Sequence, residues 1–267
     1  MFLYMLRLIS FSILLLIGLS CTYYEHQFPY DFEQENAVLA LGEELEETSA
    51  LFYKDDSTVY TLNDEEGKVF AVDTRSGAHR EVVKFKNKGD FEGLAFLAPF
   101  FYALKSDGDI YKFASNGKYT KSTFKKNKGF NFEGLSLHPN RQSLIVACKT
   151  HGDHDEDEAF IWLYRFSLLD EKYEKEPFMK FPKEKVHAKF QPSALAFDPE
   201  GNLYVLSAKT YTIVSFDRDL NLKHKAQLPY LRYQQAEGIC FSPKGNLFIS
   251  SEKGEQINAK LIQLERK

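Results

Sequence analysis

Three glutamates recur along the sequence in the same short phrase, Glu-Gly followed by Leu or Ile. They are Glu92, Glu133 and Glu237, and each begins a run rich in apolar residues. Two further copies of the phrase carry Ser-Ala instead of Glu-Gly, at Ser49 and Ser193. Carboxylates that meet at one point repel each other, so a cation or neighbouring lysines must neutralise them. The phrase therefore predicts a polar site built from equivalent positions of a repeat.

Lys105 and Lys149 end the strands that are expected to follow Glu92 and Glu133. One interpretation is a set of structural Glu–Lys ion pairs. A second is a metal site formed by Glu92, Glu133 and Glu237, for which oxygen ligands favour Ca²⁺ or Mg²⁺ over zinc. A third is a ligand pocket without a metal. The sequence leaves these three interpretations open.

Hydrolytic machinery is not apparent in the sequence. No Ser-His-Asp constellation, nucleophile elbow, phosphate loop or zinc spacing occurs. His138 is expected in a turn on the face opposite the glutamates. Asp153, Asp155 and Asp157 have the spacing that opens a calcium loop, but Glu158 stands where that loop needs glycine. We therefore interpret residues 153–158 as a solvated acidic loop.

The elements that position the glutamates are repeated units. Successive apolar residues of the phrase are separated by 43, 41, 60 and 44 positions, and they are Leu51, Leu94, Leu135, Leu195 and Ile239. A β-propeller blade of four short strands needs roughly 40 to 45 residues. The spacing predicts an all-β fold, a single β-propeller of five four-stranded repeats. The length of the third unit makes a sixth blade an alternative, although its excess of about 17 residues is short for four more strands.

The last unit ends after three strands, and an isolated apolar run at residues 37–41 precedes the first repeat. We expect this run to complete the last blade and to close the ring, because closure protects sheet edges. In a closed propeller the innermost strands line the axis. The start of each inner strand and the end of the second strand should then ring one mouth of the channel.

The N-terminus has the layout of a secretory signal. Residues 8–19 form an apolar run after Arg7, and small residues lead to Cys21. We expect cleavage and lipidation at Cys21, with an uncleaved anchor over residues 2–19 as the alternative. The predicted organisation is a lipoprotein-type signal peptide at 1–20, a linker at 21–36 and the propeller at 37–267. The protein would be exported and lipid-anchored to a cell membrane, on the periplasmic face or at the outer membrane of a Gram-negative bacterium.

Composition limits the partners. The net charge of −4 argues against nucleic acid, which leaves the membrane, reached through the lipid, and an unidentified protein or small-molecule ligand. Cys148 and Cys240 fall in non-adjacent units, so we expect buried free thiols rather than a disulfide.

Several phrases together resemble one known family. They are the lipoprotein-type signal and the segments at 92–94, 133–135, 147–149, 204–208 and 237–239, which read EGL, EGL, ACK, YVLSA and EGI. The set is similar to the SdiA-regulated (YjiK-like) family of exported β-propeller lipoproteins. The resemblance covers about residues 44–267. The resemblance implies a propeller of the phytase-like or NHL-like kind and no settled biochemical activity. We expect a membrane-tethered binding or interaction module with a polar axial site; the alternative is a phytase-like, divalent-metal-dependent ester or phosphoester hydrolase.

Overall fold

Five antiparallel sheets surround a central axis in the computed structural model, which describes residues 28–125, 129–152 and 157–267. The described residues form strands, turns and four short 3₁₀ segments, at Glu43–Leu45, Asp157–Ala159, Lys183–Lys185 and Ala208–Thr210. Within these ranges, no helix has the length and apolar character needed to cross a bilayer. The fold is a five-bladed β-propeller, as the repeat spacing predicts.

Each blade runs from an inner strand at the axis to an outer strand at the rim. Blade 1 contains β2 (Thr48–Asp55), β3 (Thr58–Asn63), β4 (Lys68–Asp73) and β5 (His79–Lys84). Blade 2 contains β6 (Phe91–Leu97), β7 (Phe100–Lys105), β8 (Ile110–Phe113) and β9 (Tyr119–Ser122). Blade 4 contains β15 (Ala194–Phe197), β16 (Leu203–Ser207), β17 (Thr212–Phe216) and β18 (Leu222–Gln227).

Blade 3 has an extra strand. It contains β10 (Phe130–Leu137), β11 (Ser143–His151), β12 (Phe160–Ser167), β13 (Lys172–Tyr173) and β14 (Met179–Pro182). Strands β13 and β14 pair with opposite ends of β12 and share the outer edge. The additional length of the third unit therefore lengthens one blade and does not add a sixth.

Blade 5 joins the two ends of the described chain. It contains β19 (Ala236–Phe241), β20 (Leu247–Ser251), β21 (Lys260–Leu264) and, as its outer strand, β1 (Ala37–Ala40). Strand β1 pairs antiparallel with β21. The predicted closure by an N-terminal strand is confirmed.

The segment before β1 packs against blades 4 and 5, although it falls within the predicted linker at residues 21–36. Phe28, Tyr30 and Phe32 are buried in the core cluster of these two blades. The Tyr30 hydroxyl donates a hydrogen bond to the Gly245 carbonyl at 2.6 Å, and the Lys267 amide donates to the Pro29 carbonyl at 2.9 Å. Residues 28–36 thus form a strap that belongs to the folded domain.

The inner strands approach each other closely where the repeated phrase has glycine. A Cβ on Gly93 would lie 2.5 Å from Leu135 Cβ, and one on Gly238 would lie 2.9 Å from Leu51 Cγ. Such separations are too short for packed carbon atoms. Glycine in the phrase therefore allows neighbouring inner strands to pack around the axis, which explains why it accompanies the glutamate.

Candidate functional site

Local irregularities aim the repeated polar residues at the axis. The pairing of β6 with β7 shifts between Phe91 and Gly93, and that of β19 with β20 shifts between Ala236 and Gly238. Glu92 and Glu237 are thus the extra residues of two β-bulges, which re-aim side chains and often lie at functional sites. A similar shift between Thr48 and Ala50 contains Ser49.

The three predicted glutamates share one electrostatic environment but have different partners. Glu133 is 4% exposed and forms an ion pair with Lys149, and Asn131 Nδ2 lies 3.5 Å from its Oε1. Glu92 lies beside Asp90, which helps to raise the pKa of Glu92. Glu237 has neither a hydrogen bond nor an ion pair within the described residues. One of the predicted Glu–Lys ion pairs is therefore present, and two glutamates lack such a pair.

Lys105 and the two serines have other contacts. Lys105 Nζ lies 2.5 Å from Asp107 Oδ2, within its own turn. The Ser49 hydroxyl donates to the Phe91 carbonyl at 2.5 Å, and the Ser193 hydroxyl donates to the Ala236 carbonyl at 2.7 Å. Each serine is buried and bonds to the next blade along the chain. In the two Ser-Ala units, the serine that replaces glutamate therefore links neighbouring blades by a hydrogen bond.

A second set of polar residues, not found from the sequence, surrounds the mouth. Each lies two positions before a residue of the repeated phrase, and the five are Glu47, Asp90, Asn131, Gln191 and Gln235. Four of them precede an inner strand and Asn131 lies near the start of β10, so the repeated spacing was itself a usable signal. Asp90 and Asn131 contact Glu92 and Glu133, and Gln235 Nε2 donates to Glu252 Oε2 at 3.2 Å.

A carboxylate triplet lies at the junction of blades 5 and 1. Oxygen atoms of Glu47, Asp64 and Glu252 all lie within 4.8 Å of one another. Asp64 Oδ1 is buried without a hydrogen-bond partner, and Glu252 is 8% exposed. Carboxylate oxygens at this separation are suited to Ca²⁺, which takes six to eight oxygen ligands. Neither this grouping nor Glu47 follows from the sequence pattern.

Burial and mutual repulsion raise the pKa values of four carboxyl groups at this mouth. Burial, then the charges of Glu133 and Asp90, raise the pKa of Glu92 to about 9. Burial, then Glu47 and Asp64, raise the pKa of Glu252 to about 8, and burial with Glu47 raises that of Asp64 to about 6. Burial and Glu133 place the pKa of Glu237 well above its usual range.

Lys149 lies among these carboxylates, and their negative charges influence its pKa. Although burial opposes the charged form, the ion pair with Glu133 and the nearby charges of Glu237 and Glu92 raise the pKa of Lys149. Of the seven carboxylates described above, only Glu133 has an ion pair within the described chain. The mouth therefore gathers far more carboxyl groups than cationic side chains, and those with raised pKa values retain protons near neutral pH. We call it the acidic mouth; its members are Glu47, Asp64, Asp90, Glu92, Glu133, Glu237 and Glu252.

The channel narrows between two mouths of different character. At the waist, residues of all five inner strands leave only about 10 Å³, close to the minimum volume for one water. Beside the acidic mouth, Glu133, Lys149, Lys209, Tyr211 and Glu237 line a polar cavity of about 370 Å³. The opposite mouth is a largely apolar recess of about 390 Å³.

Other predicted features have definite positions or lie outside the described residues. Cys148 and Cys240 are buried and form no disulfide within the described residues, as expected. His138 lies in the turn between β10 and β11, away from the acidic mouth. Cys21, the signal segment and most of the acidic loop, including Asp153 and Asp155, lie outside the described residues.

Solved structures that resemble this chain share its fold at low sequence identity. A PQQ-bound aldose sugar dehydrogenase from Streptomyces coelicolor is 12% identical, with a TM-score of 0.57, over 88% of this chain and 98% of that one. A Bacteroides thetaiotaomicron protein of unknown function is 16% identical, with a TM-score of 0.56, over 82% and 58%. A luciferin-regenerating enzyme is 13% identical, with a TM-score of 0.53, over 85% and 94%.

No curated protein sequence matches the chain. The model of the SdiA-regulated family does match it, over residues 30–254, which is most of the five-bladed propeller described above. This chain therefore belongs to the SdiA-regulated family.

Proposed function

We propose that this protein is a binding module whose acidic mouth captures a cationic ligand, with Ca²⁺ as the simplest candidate. The observation that carries the proposal is the set of seven carboxylates of which only Glu133 has an ion pair in the described residues. Burial and mutual repulsion raise the pKa values of Glu92, Glu237 and Glu252, so these groups hold protons near neutral pH in the metal-free protein. A bound cation would stabilise their ionised form.

Within the acidic mouth, Glu47, Asp64 and Glu252 form the cation subsite. Their oxygens already lie within 4.8 Å of one another, and the buried Asp64 Oδ1 would gain a partner. Glu92, Glu133 and Glu237 extend the cluster of carboxyl groups towards the axis, where they are the second group that could hold a metal. Gln235, bonded to Glu252, positions one member of the subsite.

Added Ca²⁺ should raise the melting temperature of the chelator-treated full-length protein in detergent. A ligand that binds only the folded state at 100 times its Kd adds about 2.7 kcal/mol, which corresponds to roughly 5 to 10 °C for a chain of this length. Differential scanning calorimetry with Ca²⁺, Mg²⁺ and Na⁺ at equal ionic strength measures the effect.

Two triple variants locate the site. Combining Glu47→Gln, Asp64→Asn and Glu252→Gln should abolish the Ca²⁺ response, whereas combining Glu92→Gln, Glu133→Gln and Glu237→Gln should only weaken it. Glu81→Gln, on the outer strand β5, is the matched control. A wild-type protein with no Ca²⁺ shift and no bound metal by elemental analysis would refute the cation site.

Metal-dependent hydrolysis of esters or phosphoesters is the second candidate, and the close carboxylate triplet favours it. A metal held there with an open position could activate water. Structural neighbours of this fold include enzymes, namely the sugar dehydrogenase and the luciferin-regenerating enzyme. Turnover of 4-nitrophenyl phosphate or acetate that depends on Ca²⁺ and is lost in the Glu47/Asp64/Glu252 triple variant would establish it.

We propose further that the propeller is exported and tethered to a membrane by a lipid on Cys21. The support is the apolar run at residues 8–19 followed by a cysteine. Cys21→Ala should abolish incorporation of an alkyne-labelled fatty acid in a Gram-negative host, while Cys148→Ala should leave it unchanged. Labelling that persists in the Cys21→Ala protein would eliminate this tether.

A further inference from the structure

A separate cavity lies on the face opposite the acidic mouth, between blades 3 and 4. Its volume is about 380 Å³, within the range of small-molecule sites. The lining comes from turns of both blades and includes His138, Phe178, Phe197, Leu220 and Arg218. We call it the blade 3–4 pocket. It shares no residue with the acidic mouth, so it needs its own explanation.

Aromatic rings form much of its wall. The His138 ring stands edge-on to Phe178 and Phe197, with centroid separations of 5.8 and 5.2 Å. Pro139, Pro199 and Leu220 add apolar surface. A wall of this kind suits a flat apolar body, because aromatic rings pack edge-to-face or offset against one another.

Arg218 supplies a positive charge at the pocket. Its Nε donates to the Glu200 carbonyl at 2.6 Å, which holds the side chain over Gly201. The described residues provide no carboxylate partner for Arg218. The N–H groups of its terminal nitrogens therefore remain available to a ligand. Arginine donors in this state are well suited to a carboxylate.

A second donor lines the pocket, and a further positive charge lies beside one of its aromatic rings. The Asn140 backbone amide donates to His138 Nδ1 at 3.3 Å, so a neutral ring carries its proton on Nε2. The Arg165 guanidinium lies 4.6 Å from the centre of the Phe178 ring, and its Nε is buried without a hydrogen-bond partner.

Asp217 also lines the pocket, but its oxygens are occupied by its own turn. The amides of Asp219 and Asn221 and the Asn221 side chain all donate to the Asp217 carboxylate. The unoccupied polar groups at the pocket are therefore donors, whereas its acceptor is already satisfied.

We propose that the blade 3–4 pocket binds a small aromatic carboxylate. The aromatic body would pack against His138, Phe178 and Phe197, and the carboxylate would accept hydrogen bonds from Arg218 and His138. This site is independent of cation binding at the acidic mouth.

2-Naphthoate is the probe, and 2-naphthamide is the comparator with the same ring system and no charge. Calorimetric titration of the full-length protein should show saturable binding of naphthoate at one site and binding of the amide at least about tenfold weaker, as expected for loss of a charge-assisted contact. Arg218→Gln should weaken naphthoate by about tenfold or more, and Arg218→Lys should recover part of the loss.

Arg75→Gln is the matched control, because Arg75 is an exposed arginine in the β4–β5 turn of blade 1. It should bind naphthoate as the wild type does. Arg218 is also exposed, so its variants should keep the wild-type melting temperature, and this is checked first. The proposal is overturned by undetectable naphthoate binding, by equal binding of the amide, or by an Arg218→Gln protein with unchanged affinity.

Discussion

A chain that begins at Gly42 should lose the cooperative unfolding transition of the propeller, whereas one that begins at Phe28 should keep it. The shorter chain lacks both β1 and the strap at residues 28–36. Without β1, blade 5 exposes the unpaired edge of β21. Exposed edges of this kind template aggregation.

The loss of the strap is expected to be the larger effect. Phe28, Tyr30 and Phe32 are 9%, 3% and 6% exposed, and removing one buried aromatic side chain typically costs about 3 to 5 kcal/mol. Three such losses, about 9 to 15 kcal/mol, are comparable to the whole stability of a typical domain, about 5 to 15 kcal/mol.

Calorimetry and near-UV circular dichroism of the two truncated chains measure the difference. A third chain that begins at Asn36 retains β1 and lacks most of the strap, which separates edge protection from aromatic burial. A Gly42 chain whose melting temperature stays within about 3 °C of the Phe28 chain, a shift of roughly 1 kcal/mol, would show that neither element stabilises the ring.

The sequence predicts the ring and its closure because both depend on periodic spacing. The interval between the apolar residues of the phrase sets the number of blades, and the unfinished last unit requires an additional strand. Residues 28–36 were not recognised as part of the domain, because Phe28, Tyr30 and Phe32 pack against blades 4 and 5. Contacts so distant along the chain leave no local periodicity.

The sequence predicts where the candidate site lies better than it predicts which side chains pair with each other there. Equivalent positions meet at the axis, so Glu92, Glu133 and Lys149 fall in one environment. Lys105 occupies a comparable strand end, yet it pairs with Asp107 because a partner within the same turn is nearer. Bulge geometry and competition between local and distant partners decide such contacts.

The triplet of Glu47, Asp64 and Glu252 shows the same limitation. Its members come from three different strand ends on two blades, where ring closure brings the first and last units together. Their separation in sequence gives no metal-binding spacing. Only the closed ring creates this site.

Raising the pH from about 5 to about 9 should lower the melting temperature of the metal-free protein by roughly 5 °C or more. In the folded state the pKa of Glu92 is about 9 and that of Glu252 about 8, whereas an unfolded glutamate titrates near 4.3. Between these values the folded protein binds more protons than the unfolded chain, so its stability falls as pH rises. One pKa unit corresponds to about 1.4 kcal/mol. Part of these pKa shifts is therefore enough to lower the melting temperature by roughly 5 °C.

Replacing both residues by glutamine, which resembles the protonated acid, should flatten this decline. Glu81→Gln should retain the wild-type slope. The groups nearest the replaced residues are Asp90, Glu133 and Lys149 around Glu92, and Glu47, Asp64 and Gln235 around Glu252. A Glu92→Gln/Glu252→Gln protein that keeps the full decline would mean that other groups cause it.

If Ca²⁺ binds at the acidic mouth, it should oppose the fall in melting temperature that accompanies rising pH. Carboxyl groups must lose their protons to coordinate a metal, so binding strengthens as pH rises. The increase in melting temperature caused by Ca²⁺ should therefore be larger at pH 8 than at pH 6, and the Glu47/Asp64/Glu252 triple variant should show no such difference. A Ca²⁺ effect that is the same at both pH values would place the ion away from these proton-binding carboxylates.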